Sequence, residues 1–158
     1  MDIFVTFYTN QDKPILAWGL KFHKYKYDHC SIILKTDDYP MLSLHVSTEN
    51  FPKFIREKTL HKVMEPRKIF YIGKTSTSPE EVVALLERGK KFSIVKIALW
   101  YYLTRWFLKW EPKWICTTVV CRILNKCKLY NTHCVIPDKL EKELSDADSF
   151  YSWTSGDG

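Results

Sequence analysis

Residues 29–47 read HCSIILKTDDYPMLSLHVS. Two apolar runs, 29–35 and 41–47, flank Thr36-Asp37-Asp38-Tyr39-Pro40, a turn by composition. The pattern predicts a β-hairpin. In its first strand Cys30, Ile32 and Leu34 share one face, and His29, Ser31 and Ile33 share the other. In its second, Leu42, Leu44 and Val46 oppose Met41, Ser43, His45 and Ser47. With the turn centred near Asp38, Lys35 pairs with Met41, Ser31 with His45, and His29 with Ser47. His29 and His45 then become diagonal neighbours on the more polar face, roughly 7–8 Å apart at the backbone and within imidazole reach. A one-residue slip separates them. Such a pair suits a general base and its orienter; it equally suits two half-buried imidazoles satisfied by water.

Working outward, residues 2–8 (DIFVTFY) read as a strand and 13–22 as a short helix with Pro14 in its first turn. Residues 68–73 (KIFYIG) read as a further strand. Ser78-Pro79-Glu80-Glu81 is a helix start, with a capping Ser, Pro at the first helical position and acids in the first turn. An apolar, aromatic stretch follows at 94–108 and is broken by Pro112. Residues 116–126 (CTTVVCRILNK) carry an amphipathic helix, 127–136 suit a last strand, and PDKLEKEL from Pro137 suits a last short helix. Strands come first and helices later, which indicates an α+β fold with an antiparallel sheet packed against helices. The expected organisation is one domain over residues 1–145 and a flexible acidic tail over 146–158.

The chain has 158 residues, 46% apolar and 27% charged, an ordinary globular composition. That excludes a disordered, collagen-like or disulfide-framed chain. Net charge is +6, but the charge is uneven: residues 1–140 hold 23 bases against 13 acids. A basic body favours an anionic polymer or an anionic membrane surface. An acidic tail and the lack of a dense Arg/Lys stripe or phosphate loop argue against nucleic acid. The N-terminus has no basic lead and no run of about 18 apolar residues exists, so neither a signal peptide nor an ordinary membrane span is expected. The five cysteines are read as thiols in a reducing, cytoplasmic setting, with delivery by lysis or within a virus particle also compatible. In 97–110, Leu99, Tyr102, Leu103, Trp106, Phe107 and Trp110 fall near one helical face. A core-facing helix is the favoured explanation, and a membrane-surface helix is the rival. Cys121, Cys127, His133 and Cys134 are clustered, but their spacing matches no common zinc pattern, so neither metal nor cofactor is expected.

Cys116 begins the 116–126 helix, whose buried stripe is Val119, Val120, Ile123 and Leu124. A thiol there faces unpaired N–H groups and the positive end of the helix dipole, and both favour the nucleophilic thiolate. The position also suits a small core residue, and position alone does not separate the two.

Taken together, these segments resemble the circularly permuted papain-like hydrolases of the NlpC superfamily, including the YiiX-type proteins and the lecithin:retinol acyltransferase relatives. The resemblance lies in the His-led strand His29-Cys30-Ser31-Ile32-Ile33-Leu34, the polar residue of the second strand, His45 in Ser43-Leu44-His45-Val46, and the helix start Trp114-Ile115-Cys116-Thr117-Thr118-Val119-Val120. It covers roughly residues 2–140. Thr117 stands where the family often has Ser, Cys30 follows the His directly, and the aromatic stretch before Cys116 is unusual.

The resemblance implies a permuted papain-like fold and a thiol hydrolase, an amidase or peptidase, with a cell-wall peptide, other peptide or acyl substrate. Cys116 would attack a carbonyl to form a thioester, His29 would transfer the proton, and His45 would orient His29. The Cys116 backbone N–H would serve the oxyanion, and Thr117 and Tyr27 would shape the pocket. Acyl transfer or thioester hydrolysis on lipid or other acyl groups is the alternative within the same chemistry. A non-catalytic binding protein on the same scaffold is the alternative outside it. No feature of the sequence speaks to oligomeric state.

Overall fold

The strand that opens the chain lies in the interior of the sheet. A computed structural model describes residues 1–9, 26–27, 29–37, 42–45, 53–56, 65–87, 115–147 and 151–153. β1 (Asp2–Thr9) is flanked by β2 (His29–Lys35) and β5 (Glu65–Lys74). With β3 (Leu42–His45), β4 (Lys53–Arg56) and β6 (Tyr151–Trp153), the described residues form a six-stranded sheet of order β4-β3-β2-β1-β5-β6, with every neighbour antiparallel. Ile3, Val5 and Phe7 on one face of β1 and Thr6 and Tyr8 on the other are all buried. That explains why the strand reads as a nearly continuous apolar run rather than a strict alternation.

The hairpin has the predicted register. Ile33 lies opposite Ser43 and Leu34 opposite Leu42, the same alignment as Lys35 with Met41. β4 extends the meander and was not foreseen, because KFIR is short and half charged. β6 lies within the stretch read as a tail and adds a short edge to β5, with Tyr71 opposite Tyr151. The β1–β5 ladder is irregular near Gly73: Ile3 pairs with Gly73 and Phe4 with Tyr71, leaving Ile72 as the extra residue. Gly73 takes φ 141°, which glycine adopts without a Cβ penalty.

α1 (Pro79–Glu87) starts as the sequence predicts. Ser78 Oγ accepts the Glu81 N–H at 3.3 Å, and Glu81 Oε2 accepts the Ser78 N–H at 3.0 Å, a reciprocal capping box. α2 (Cys116–Lys126) packs on β2 and beside α1. Its Val119, Val120, Ile123 and Leu124 join Ile3, Val5, Phe7, Cys30, Ile32 and Leu34 in one core. α3 (Pro137–Asp146) contributes Leu140 and Leu144 to that core and is tied to β5 by the Lys68–Glu141 ion pair.

Residues 127–136 are not a strand. Side chains take the backbone groups that a ladder would have used. Asn125 Oδ1 accepts the Thr132 N–H at 2.9 Å, and Asn125 Nδ2 donates to the Thr132 carbonyl at 3.0 Å. The Cys134 N–H donates to Cys121 Sγ at 3.4 Å. The expected helix over 13–22 and the aromatic stretch over 97–110 lie outside the described residues, as does Trp114. Among the described residues no helix is long and apolar enough to cross a membrane.

Candidate active site

Cys116 occupies the first position of α2, as the helix pattern predicts. The preceding residue, Ile115, is the N-cap and offers no side-chain acceptor. Thr118 Oγ1 instead turns back to the Ile115 backbone, accepting its N–H at 3.1 Å and donating to its carbonyl at 3.1 Å. The first intrahelical bond is the Val119 N–H to the Ile115 carbonyl, at 3.0 Å. The N–H groups of Cys116, Thr117 and Thr118 therefore precede the helix ladder and point out of the positive end of its dipole. Such a cluster can hold an oxyanion.

The thiol meets the first two residues of β2. The Cys116 thiol is held well below the ordinary thiol range, chiefly by hydrogen bonding with the Cys30 thiol. Burial opposes this, and the charge of His29 and hydrogen bonding to it act with Cys30. Cys30 is pushed well up by its own burial and by the neighbouring Cys116. The two thiols are thus pushed apart, Cys116 at the helix start downward and Cys30 on the strand upward. That division is physically sensible, since Cys116 is only half-buried and lies at the dipole end, while Cys30 is deep in the core.

Thr117 is fully buried and touches both sulfurs, at 3.7 Å from Cys30 Sγ and 3.8 Å from Cys116 Sγ. It lies in the seam between α2 and β2. His29 is buried, and its ring lies 5.8 Å from that of Tyr8, its cross-strand partner on β1. On the same face Tyr8 Oη lies 3.1 Å from Ser31 Oγ, and Ser31 Oγ 3.4 Å from Ser43 Oγ. A buried polar ladder thus runs from β1 through β2 to β3. His45 ends β3 with its backbone opposite Lys53, two positions beyond Ser43.

Tyr27 is placed in the core, its ring 5.3 Å from Phe7. Its backbone has a role that the sequence did not reveal. Asp138, in the first turn of α3, accepts the Lys26 N–H at 2.6 Å and the Tyr27 N–H at 3.1 Å. This carboxylate holds the chain just before His29. Thr9 Oγ1 adds a bond to the Lys26 carbonyl at 3.0 Å.

The clustered thiols of the C-terminal third separate. Cys121 and Cys134 meet, and Glu143 accepts from the Cys134 thiol at 3.1 Å and the Thr132 hydroxyl at 2.6 Å. Cys127 lies instead beside Thr75 and Thr77. Among the described residues no group of three His, Cys, Asp or Glu side chains converges as a metal site.

Comparison of the chain with family models, with curated proteins and with solved structures found no match.

Proposed function

We propose that the chain is a thiol-nucleophile hydrolase, acting on an amide bond through a thioester acyl-enzyme, on the permuted papain-like scaffold that its motifs resemble. The observation that carries this reading is Cys116 at the first position of α2, its thiol depressed by Cys30 and by His29. Cys121 is also lowered, by its neighbour Cys134, so what sets Cys116 apart is its place at the helix start, its partial exposure and the contribution of His29.

In this mechanism the Cys116 thiolate attacks the substrate carbonyl carbon, and the carbonyl π electrons move to oxygen. The first-turn N–H groups of α2 receive that oxyanion. His29 gives its proton to the leaving amine as the C–N bond breaks. Water then attacks the thioester, His29 takes a water proton, and Cys116 leaves as thiolate. His45 is assigned the orienting role on His29. The excess of bases over residues 1–140 favours an anionic peptide, such as a cell-wall peptide amide, as substrate. An amine or alcohol in place of water turns the same thioester toward acyl transfer.

The test is site-resolved alkylation of the folded chain with limiting iodoacetamide between about pH 5 and 9, beside His29→Ala. The expected result is that Cys116 reacts first, below the ~8.5 of a free thiol, and that this low-pH reactivity falls without His29. A Cys116 no faster than Cys127 overturns the reading.

A further inference from the structure

Cys30 forms no covalent bond in the proposed acyl transfer, yet its thiol lies against the sulfur assigned to that chemistry. The two differ in access. Cys30 is 1% exposed, whereas Cys116 is half-buried, so a small solute meets Cys116 first. Thr117 Oγ1 contacts both, at 3.7 Å from Cys30 Sγ and 3.8 Å from Cys116 Sγ, and so holds the two thiols at one end of the β2–α2 seam. A second pair, Cys121 and Cys134, is buried on both members, and Cys134 faces the Glu143 carboxylate. Among the described residues, the neighbours of Cys116 on the strand side are the Cys30 thiol and His29.

We infer that Cys116 and Cys30 form a site of oxidation by hydrogen peroxide, Cys116 as the attacking thiol and Cys30 as the resolving thiol. The Cys116 thiolate attacks one peroxide oxygen and the O–O bond breaks. Cys116 becomes the sulfenic acid, and the other oxygen takes a proton and leaves as water. Cys30 then attacks the Cys116 sulfur. The S–S bond forms, the S–O bond breaks, and the hydroxyl leaves as water with the Cys30 proton. Two thiols lose two electrons in all, and one peroxide becomes two waters. Burial pushes the Cys30 thiol up, so its attack requires its proton to pass to the leaving hydroxyl as the S–S bond forms. The disulfide blocks the sulfur that the proposed hydrolase would use and is restored by a dithiol. That regulatory consequence rests on the hydrolase reading; the oxidation itself needs only the two thiols.

The experiment uses the full chain, treated with a small molar excess of hydrogen peroxide, then alkylated, digested without reduction and mapped by mass spectrometry. A parallel untreated sample is labelled with iodoacetamide at about pH 6. The expected product is a Cys30–Cys116 cross-linked peptide that disappears on reduction with dithiothreitol. In Cys30→Ser, dimedone should trap about tenfold more Cys116 sulfenic acid, which goes on to the sulfinic acid. The wild-type cross-link needs no variant to be read. A Cys116 that labels at low pH but is oxidised straight to the sulfinic acid, with Cys30 still free, overturns the inference and leaves the hydrolase reading standing. A Cys121–Cys134 link that forms first also overturns it. A Cys116 inert to both reagents overturns both.

Discussion

Cys30 Sγ stands 3.7 Å from Thr117 Oγ1, across the seam where β2 meets the first turn of α2. Each residue is the chain neighbour of a candidate catalytic group, Cys30 of His29 and Thr117 of Cys116. Both are almost completely withdrawn from solvent. The contact therefore sets the strand start and the helix start relative to one another. Positioning of this kind matters because reacting groups must be held to within a fraction of an ångström.

Cys30→Ala should raise the Cys116 thiol toward the ordinary range, because hydrogen bonding with Cys30 is the largest cause of its depression. The His29 contribution remains, so the shift is partial. The alkylation rate of Cys116 against pH should move to higher pH, while its rate well above pH 9 changes little. An unmoved profile would show that the strand thiol has no hold on the nucleophile. The small cavity left behind should cost about 1 kcal/mol in urea unfolding.

The pH dependence of stability has a definite sign. The folded Cys116 thiol ionises below its unfolded value of ~8.5. Its contribution is fully present above the unfolded value and is lost as pH falls through the depressed folded one. The stability difference between the wild type and Cys116→Ala should therefore shrink as pH drops from about 9 toward 5. Chemical denaturation at several pH values measures this, and a difference that grows on acidification contradicts the thiolate assignment.

Asp138→Ala removes the acceptor of two backbone N–H groups that precede His29. Hydrogen bonds to a charged group contribute more than neutral ones, but the Lys26 bond is exposed to solvent. A loss of about 1–2 kcal/mol is expected in urea unfolding. Asp138→Asn keeps one acceptor oxygen and should lose roughly half as much. Low-pH alkylation of Cys116 in Asp138→Ala should also weaken, since His29 is less firmly placed. Full retention of both stability and reactivity would remove Asp138 from the positioning of the site.

How much of this was legible follows from the range of each interaction. The hairpin register was readable because a two-residue period and a Pro-containing turn leave few alignments, and Ile33 opposite Ser43 belongs to the expected one. The bounds of α2 were readable from the stripe Val119, Val120, Ile123 and Leu124, and those of α1 from Ser78 and Glu81. Asp138 was not, because it meets Tyr27 across 111 residues and nothing local marks it. Cys30 was visible only as a departure from a family pattern; its partnership with Cys116 exists only once β2 and α2 are packed. Residues 127–136 misled because their composition suits a strand, whereas the Asn125 side chain, outside the segment, ties down the backbone of Thr132.

The end of α2 offers an independent check on the helix that carries Cys116. The Leu129 N–H donates to the Leu124 carbonyl and the Lys128 N–H to the Asn125 carbonyl, both at 3.1 Å. This is the Schellman pattern, which places the residue after the C-cap in the left-handed region. That residue is Lys128, at φ 55°, where a Cβ is unfavourable by roughly 1–2 kcal/mol and glycine is not. Lys128 is exposed, so its side chain contributes little packing. Glycine also makes the unfolded chain more flexible, which offsets part of the gain. Lys128→Gly should therefore stabilise the protein by about 0.5–1 kcal/mol, read as a higher urea midpoint at unchanged slope. The Cys116 alkylation profile should stay as it was, because the substitution is at the far end of the helix. A lower midpoint would mean that the left-handed turn after Cys127 does not form in solution.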